Sequence, residues 1–277
     1  MSDYAINDSR KARYSSKEFL LDNSSLDSYA HACVCSLQII DDEKPDVILS
    51  PMRGAYPPTR VLSSFTPNLS RSPEIITFPA SEFIPDKEEL FYSALEKVIS
   101  LYKQNIHILT LDTAITGSSA RRFKRMIKQY LPLVYHKQGK DETYGIEYTL
   151  IKLWHERDDL RPKGHSHKIR SLEMEFDFND YNIGVKDLFA EDIPELLGID
   201  YPIHLGKGKK SSFLVRVNTK DPISLVYDDG SRISMYPEGK QNTADLFVKL
   251  VTERVEEILE EKLKGSYATP HPPLCEY

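Results

Sequence analysis

No run of apolar residues in the sequence is long enough to cross a bilayer as a helix. The opening stretch, MSDYAINDSRKARYSSKEF, lacks the apolar centre of a secretory signal, so the chain is expected to stay in the cytosol and to have no membrane partner. Cysteine is scarce, at three residues. Cys33 and Cys35 stand too close for an ordinary disulfide and Cys275 sits in a proline-rich tail, so a reduced, half-buried C-x-C pair is expected. Positive charge is in deficit: 36 Lys and Arg against 42 Asp and Glu leave a net charge of −6, which argues against a generally adhesive nucleic-acid binder. There are no internal repeats and no long low-complexity tract.

What is present is enough for one large core: 277 residues, 40% of them apolar. The first residues, 1–24, are polar and read as an arm. From Leu26 to Ile40 the apolar residues recur at helical spacing, and DVILS, from Asp46 to Ser50, reads as a short strand stopped by Pro51. YPPTRVLSSF opens a helix whose prolines fit the first turn. EIITF, from Glu74, reads as a second strand, and DKEELFYSALEKVISLYKQ as an amphipathic helix with acids in its first turn. IHILTL, from Ile106 to Leu111, is apolar almost throughout, as a parallel strand buried on both faces should be. A helix from Thr116 to about Tyr130 follows, with Phe123, Met126, Ile127 and Tyr130 on one face. This alternation predicts an α/β fold with a parallel sheet, with a core over 25–185 and a C-terminal extension over 186–277. In the extension, SFLVRVNT and PISLVYDDGSRISMY, with an Asp229-Gly230 turn, predict an antiparallel ribbon. A long terminal helix follows, capped by Asn242 and stopped by Gly265; its stripe of Phe247, Leu250, Val251, Val255, Ile258 and Leu259 is read as core packing.

In an open parallel sheet, ligands bind beyond the carboxyl ends of the strands. Two loops leave such ends. After IHILTL comes DTAITGSSA, in which Gly117 permits a close backbone approach and Thr116, Ser118 and Ser119 supply hydroxyls. The following helix start adds unpaired N–H groups and the positive end of its dipole, a combination suited to a phosphate monoester. Asp112 could accept hydrogen bonds from sugar hydroxyls or help hold a divalent cation. After DVILS comes PMRGAYPPTR, in which the Arg53 fork suits two phosphate oxygens and Gly54 lets the backbone amides point the same way. Taken alone, each loop also fits a capped helix start or a surface turn.

The two loops together resemble those of the type I phosphoribosyltransferases. DVILSPMRGAYPPTRVL is similar to that family's pyrophosphate loop, and IHILTLDTAITGSSARRF to its phosphoribosyl-pyrophosphate fingerprint. The resemblance covers roughly Leu26 to Tyr130. It implies a phosphoribosyltransferase-like core in which Thr116, Gly117, Ser118 and Ser119 hold the 5′-phosphate, Asp112 the ribose hydroxyls, and Arg53 with Gly54 the pyrophosphate. Arg53 and Asp112 would be the residues nearest the reaction. The family's fingerprint carries two acids; here the first position is Leu111, and Mg²⁺ would be held mainly by the ligand's own oxygens, with Asp112. The flexible catalytic loop would fall in PASEFIPDKEE, where Lys87 is the only cation facing a departing pyrophosphate. DIPELLGIDYP, from Asp192 to Pro202, resembles the segment near the base in purine-salvage members. GHSH at Gly164 reads as an exposed basic loop, and Trp154 as a core aromatic. The altered fingerprint and unusual C-terminal half also resemble phosphoribosyltransferase-like effectors of bacterial conflict systems, some of them encoded with retrons.

Three functional expectations follow. The chain binds phosphoribosyl pyrophosphate or a related nucleotide with altered catalysis, as a defence effector would. Alternatively it is an active transferase of nucleotide salvage. In the third, it is an interaction module that contacts nucleic acid or a protein through basic islands at Arg121 to Lys128, Arg161 to Arg170 and Lys207 to Lys210. For Arg121, Arg122, Lys124, Arg125 and Lys128, the simpler account is the solvated side of a helix. The oligomeric state is left open by the sequence.

Overall fold

The computed structural model describes residues 23–52, 55–79, 87–102, 105–114, 118–139, 145–155, 163–170, 175–185, 216–217, 224–226, 232–234 and 240–266. Its central element is a six-stranded sheet in the order β2-β1-β3-β4-β6-β5. The strands are β1 (Val47–Met52), β2 (Glu74–Pro79), β3 (Ile106–Ala114), β4 (Ile146–His155), β5 (Lys163–Arg170) and β6 (Glu175–Val185). All neighbours are parallel except β5, an antiparallel edge strand on β6. The helices are α1 (Asn23–Glu43), α2 (Tyr56–Ser63), α3 (Lys87–Leu101), α4 (Ser118–Lys137) and α5 (Lys240–Ser266). The expected α/β fold with a mostly parallel sheet is therefore the observed one. Three short strands, β7 (Arg216–Val217), β8 (Ser224–Val226) and β9 (Arg232–Ser234), form the antiparallel ribbon expected in the C-terminal part.

Alternate residues of the strands feed two cores, one on each face. On one face, Ile48, Leu109, Leu111, Leu153 and Ile183 pack under α1, α2 and α5. On the other, Leu49, Ile108, Tyr148 and Phe178 pack under α3 and α4, with Phe78, Phe91 and Phe123 meeting at centroid distances of 5.4–5.7 Å. The period of two along each strand puts Leu111 and Asp112 on opposite faces. The terminal helix is core packing, as its stripe predicts: Phe247, Val251, Val255 and Ile258 are buried, and the Phe247 ring meets Tyr29 of α1 edge-on.

Several expected boundaries move. Pro51 lies inside β1, opposite Phe78, and does not end it. The ladder from β1 to β3 stops at Leu49, so on that side the missing proline N–H falls where no partner is waiting. Strand β3 runs three residues beyond Leu111, because β4 pairs with it continuously to Ala114. Asp112 is thus a strand residue and not a loop residue. Helix α4 is described from Ser118, its expected start at Thr116 lying outside the described residues, and it passes through Pro132 to Lys137, since Leu131, Val134 and Tyr135 continue its buried face. Helix α5 starts at Lys240 and includes both Asn242 and Gly265, neither of which bounds it. The GHSH segment is part of edge strand β5 and not a loop, although His165 is exposed as expected. Cys33 is a free buried thiol whose titration burial pushes far up, whereas Cys35 is disulfide-bonded, which corrects the expectation of a reduced pair. Of the polar arm expected over 1–24, residues 1–22 lie outside the described residues and 23–24 open α1; the Asp229-Gly230 turn also lies outside them, and no helix among those described is long and apolar enough to cross a membrane.

Candidate functional site

The chain order makes β1 and β3 special. From β1 the chain crosses to β2 on one side, then returns to place β3 on the other side of β1, so the winding direction reverses between β1 and β3. The carboxyl ends of these two strands flank the crevice where open α/β sheets take their ligands. Beyond these ends the sequence continues into residues 53–54 after β1 and 115–117 after β3, all outside the described residues. A hydrogen bond between Ser50 and Thr59, 2.6 Å and buried, fixes the carboxyl end of β1 to α2.

Among the expected site residues, Asp112 is the best defined. It lies two residues before the end of β3, directly opposite Lys152 of β4, on the face that α4 covers. Its side chain is buried, and Oδ2 has no hydrogen-bond partner among the described residues. Burial raises its pKa from 3.8 to about 7, opposed only by the hydrogen bond to the Thr113 backbone. A carboxyl group held uncharged by its surroundings near neutral pH is costly to keep, and such groups gather at functional sites. Ser118 and Ser119 form the first turn of α4. Arg53, Gly54, Thr116 and Gly117 lie outside the described residues, as does the expected base segment from Asp192 to Pro202. Leu111 is fully buried in the core on the opposite face of the sheet from Asp112.

Beside Asp112 the same face carries a compact charged group. Lys152 Nζ is 2.7 Å from Asp180 Oδ1 with both side chains mostly buried, an ion pair by distance although not a directional hydrogen bond. Lys124 of α4 lies 4.8 Å from the Phe178 ring centroid. Its pKa is lowered by desolvation and by Lys152, with Asp180 opposing. Arg121, Arg125 and Lys128 are exposed along α4, which fits the solvated-side account of that basic island; Lys207 to Lys210 lie outside the described residues.

A second polar cluster sits at the opposite, amino-terminal end of the sheet. Glu43 ends α1, where Lys44 takes a left-handed conformation (φ 50°) that turns the chain towards β1. His107 and Glu147 are the second residues of β3 and β4 and are paired in register. One potential ligand atom from each of Glu43, His107 and Glu147 lies within 4.8 Å of the others. No motif spacing announces the three, since long stretches of sequence separate them. The signal available was a lone polar residue at the same position of two strand openings, IHILTL and IEYTL. Comparison with protein-family models, curated proteins and solved structures returns no match for this chain.

Proposed function

We propose that the protein binds phosphoribosyl pyrophosphate or a closely related nucleotide in the crevice beyond the carboxyl ends of β1 and β3. The observation that carries this reading is the adjacency of those two strands at the reversal of winding. In this reading the residues that follow the two strands, Arg53 with Gly54 and Thr116 to Ser119, serve one ligand with a phosphate at one end and a pyrophosphate at the other. In this reading Thr116, Gly117, Ser118 and Ser119 cradle the 5′-phosphate at the start of α4, and Arg53 with Gly54 holds the pyrophosphate. Asp112 answers to the ribose hydroxyls, its unpaired Oδ2 taking the partner it lacks. Mg²⁺ is shared between the ligand's oxygens and this end of β3.

The burial of Leu111 on the far face supports altered catalysis, since the paired acids of the transferase fingerprint have no equivalent here. A sensor or effector that holds the ligand with little turnover fits that departure better than a salvage enzyme. The test is thermal protection by phosphoribosyl pyrophosphate with Mg²⁺, alongside an assay for pyrophosphate release. Wild-type protein should be protected, and Arg53→Ala should weaken apparent affinity by about 10- to 100-fold, the value of a charge-assisted bidentate contact. Equal protection of wild type and Arg53→Ala would overturn the assignment. Rapid Mg²⁺-dependent pyrophosphate release would replace the effector reading with the salvage one.

A further inference from the structure

We propose that Glu43, His107 and Glu147 form a structural site for a divalent transition-metal ion, with zinc the best match, at the end of the sheet remote from the phosphoribosyl crevice. His107 and Asp112 are five residues apart on β3, about 17 Å at strand rise, so the two sites do not share a ligand.

His107 Nδ1 is 2.9 Å from the backbone carbonyl of Glu43, which can only accept, so Nδ1 carries the proton. In the neutral ring the lone pair is then on Nε2, 3.8 Å from Glu43 Oε2. A metal-ligating histidine is commonly set in this way, its other nitrogen donating to a carbonyl. The ring is nearly buried and held by strand pairing on both sides, and its backbone N–H donates to Asp46 at 2.8 Å.

The carboxylates give the second argument. Glu43 and Glu147 meet over one amide: Asn179 Nδ2 donates to Glu147 Oε1 at 2.8 Å and reaches Glu43 Oε2 at 3.3 Å. Tyr181 donates to Glu43 Oε1. Thr149 has a single hydroxyl proton to give; its Oγ1 is 2.8 Å from His107 Nε2 and only weakly placed for Glu43 Oε2 at 3.5 Å. Two acids from different elements are thus gathered by neutral donors, around an imidazole whose Nε2 lone pair, engaged by Thr149, faces the same space. A cation there would offset the repulsion between them, and Nε2 would exchange the Thr149 hydroxyl for the ion.

One imidazole and two carboxylates suit zinc, or manganese as the harder alternative, better than magnesium. Asn179 and Tyr181 would then orient the glutamates from behind. Glu147 Oε2 lies nearer Nδ1, at 3.8 Å, than the ion would require. Its side chain is 43% exposed and, among the described residues, held by Asn179 alone, whereas Glu43 is held by Tyr181 as well, so Glu147 closes the site last. An ion here would tie the end of α1 to β3 and β4, and through the outer donors to β6.

The test uses the full chain. Metal content is measured after purification without chelator, and melting is followed after EDTA treatment and on titration with Zn²⁺ or Mn²⁺. The expected result is close to one ion per chain, and a rise in Tm of about 5–10 °C when metal is restored at saturating concentration. Glu147→Gln should fold with the Tm of the metal-free protein and lose that rise. Should Glu43→Gln or His107→Asn fail to fold, Co²⁺ titration of the wild type, read by visible absorption, still reports imidazole-carboxylate coordination. Absence of bound metal together with no Tm response to any of the three ions would overturn the site. So would an undiminished response in Glu147→Gln.

Discussion

Replacing Asp112 with Asn should stabilise the protein in mildly alkaline solution and leave it nearly unchanged in acid. The Asp112 carboxyl is buried with Oδ2 unpartnered, and its pKa is raised from 3.8 in the open chain to about 7 in the fold. The folded state therefore holds this proton more tightly than the unfolded state does. The corresponding stability is fully present below about pH 4 and is lost as pH rises through about 7. A shift of about three units corresponds to about 4 kcal/mol of stability lost across that window. The Asn variant cannot ionise. At pH 4 the protonated acid and the amide are both uncharged and nearly the same shape, so the two proteins should unfold at similar denaturant concentration. By pH 8 the variant should be the more stable by up to about 4 kcal/mol, and the difference should grow along a single-proton curve between. Urea unfolding of both proteins at half-unit pH steps gives the comparison, because every other titrating group cancels. A stability difference independent of pH would refute the buried, raised carboxyl. The same variant should bind phosphoribosyl pyrophosphate more weakly, so that the natural residue gives up stability for ligand contact.

Other perturbations test the frame around the site. Phe247→Ala removes a buried ring from the contact between α5 and α1 and should cost about 3–5 kcal/mol in urea unfolding; a loss under 1 kcal/mol would mean that α5 is not part of this core. Lys44→Gly relieves a left-handed backbone at the end of α1 and should raise stability by about 1 kcal/mol, with a loss counting against that conformation. Gly164→Ala places a methyl 2.9 Å from Tyr181 Cε1 and should cost about 1–3 kcal/mol by displacing that ring from Glu43. An unchanged Tm in this variant would mean that the ring is not held.

The parts of the fold that could be read from sequence are those where local pattern and burial agree. IHILTL is apolar because β3 is covered on both faces, and the stripe of α4 is one-sided because only one side meets the sheet. The second half of the sheet gave no such signal. Strands β4 and β6 carry Glu147, Lys152, Asn179, Asp180 and Tyr181, polar residues that read as loop until their cross-strand partners are seen. The apolar run ends at Leu111, so Asp112 reads as the first loop residue; it is a strand residue, a buried carboxyl with its pKa raised. Glu43, His107 and Glu147 were invisible for a different reason, since only register and the turn at Lys44 bring them together.

The central claim concerns the crevice between β1 and β3, and its most direct test is a calorimetric titration with phosphoribosyl pyrophosphate in Mg²⁺. The account predicts a saturating isotherm for the wild-type chain and its loss in the Thr116→Ala, Ser119→Ala double variant, which should keep the wild-type Tm without ligand. An absence of heat at two temperatures, or an affinity unchanged in the double variant, would contradict it.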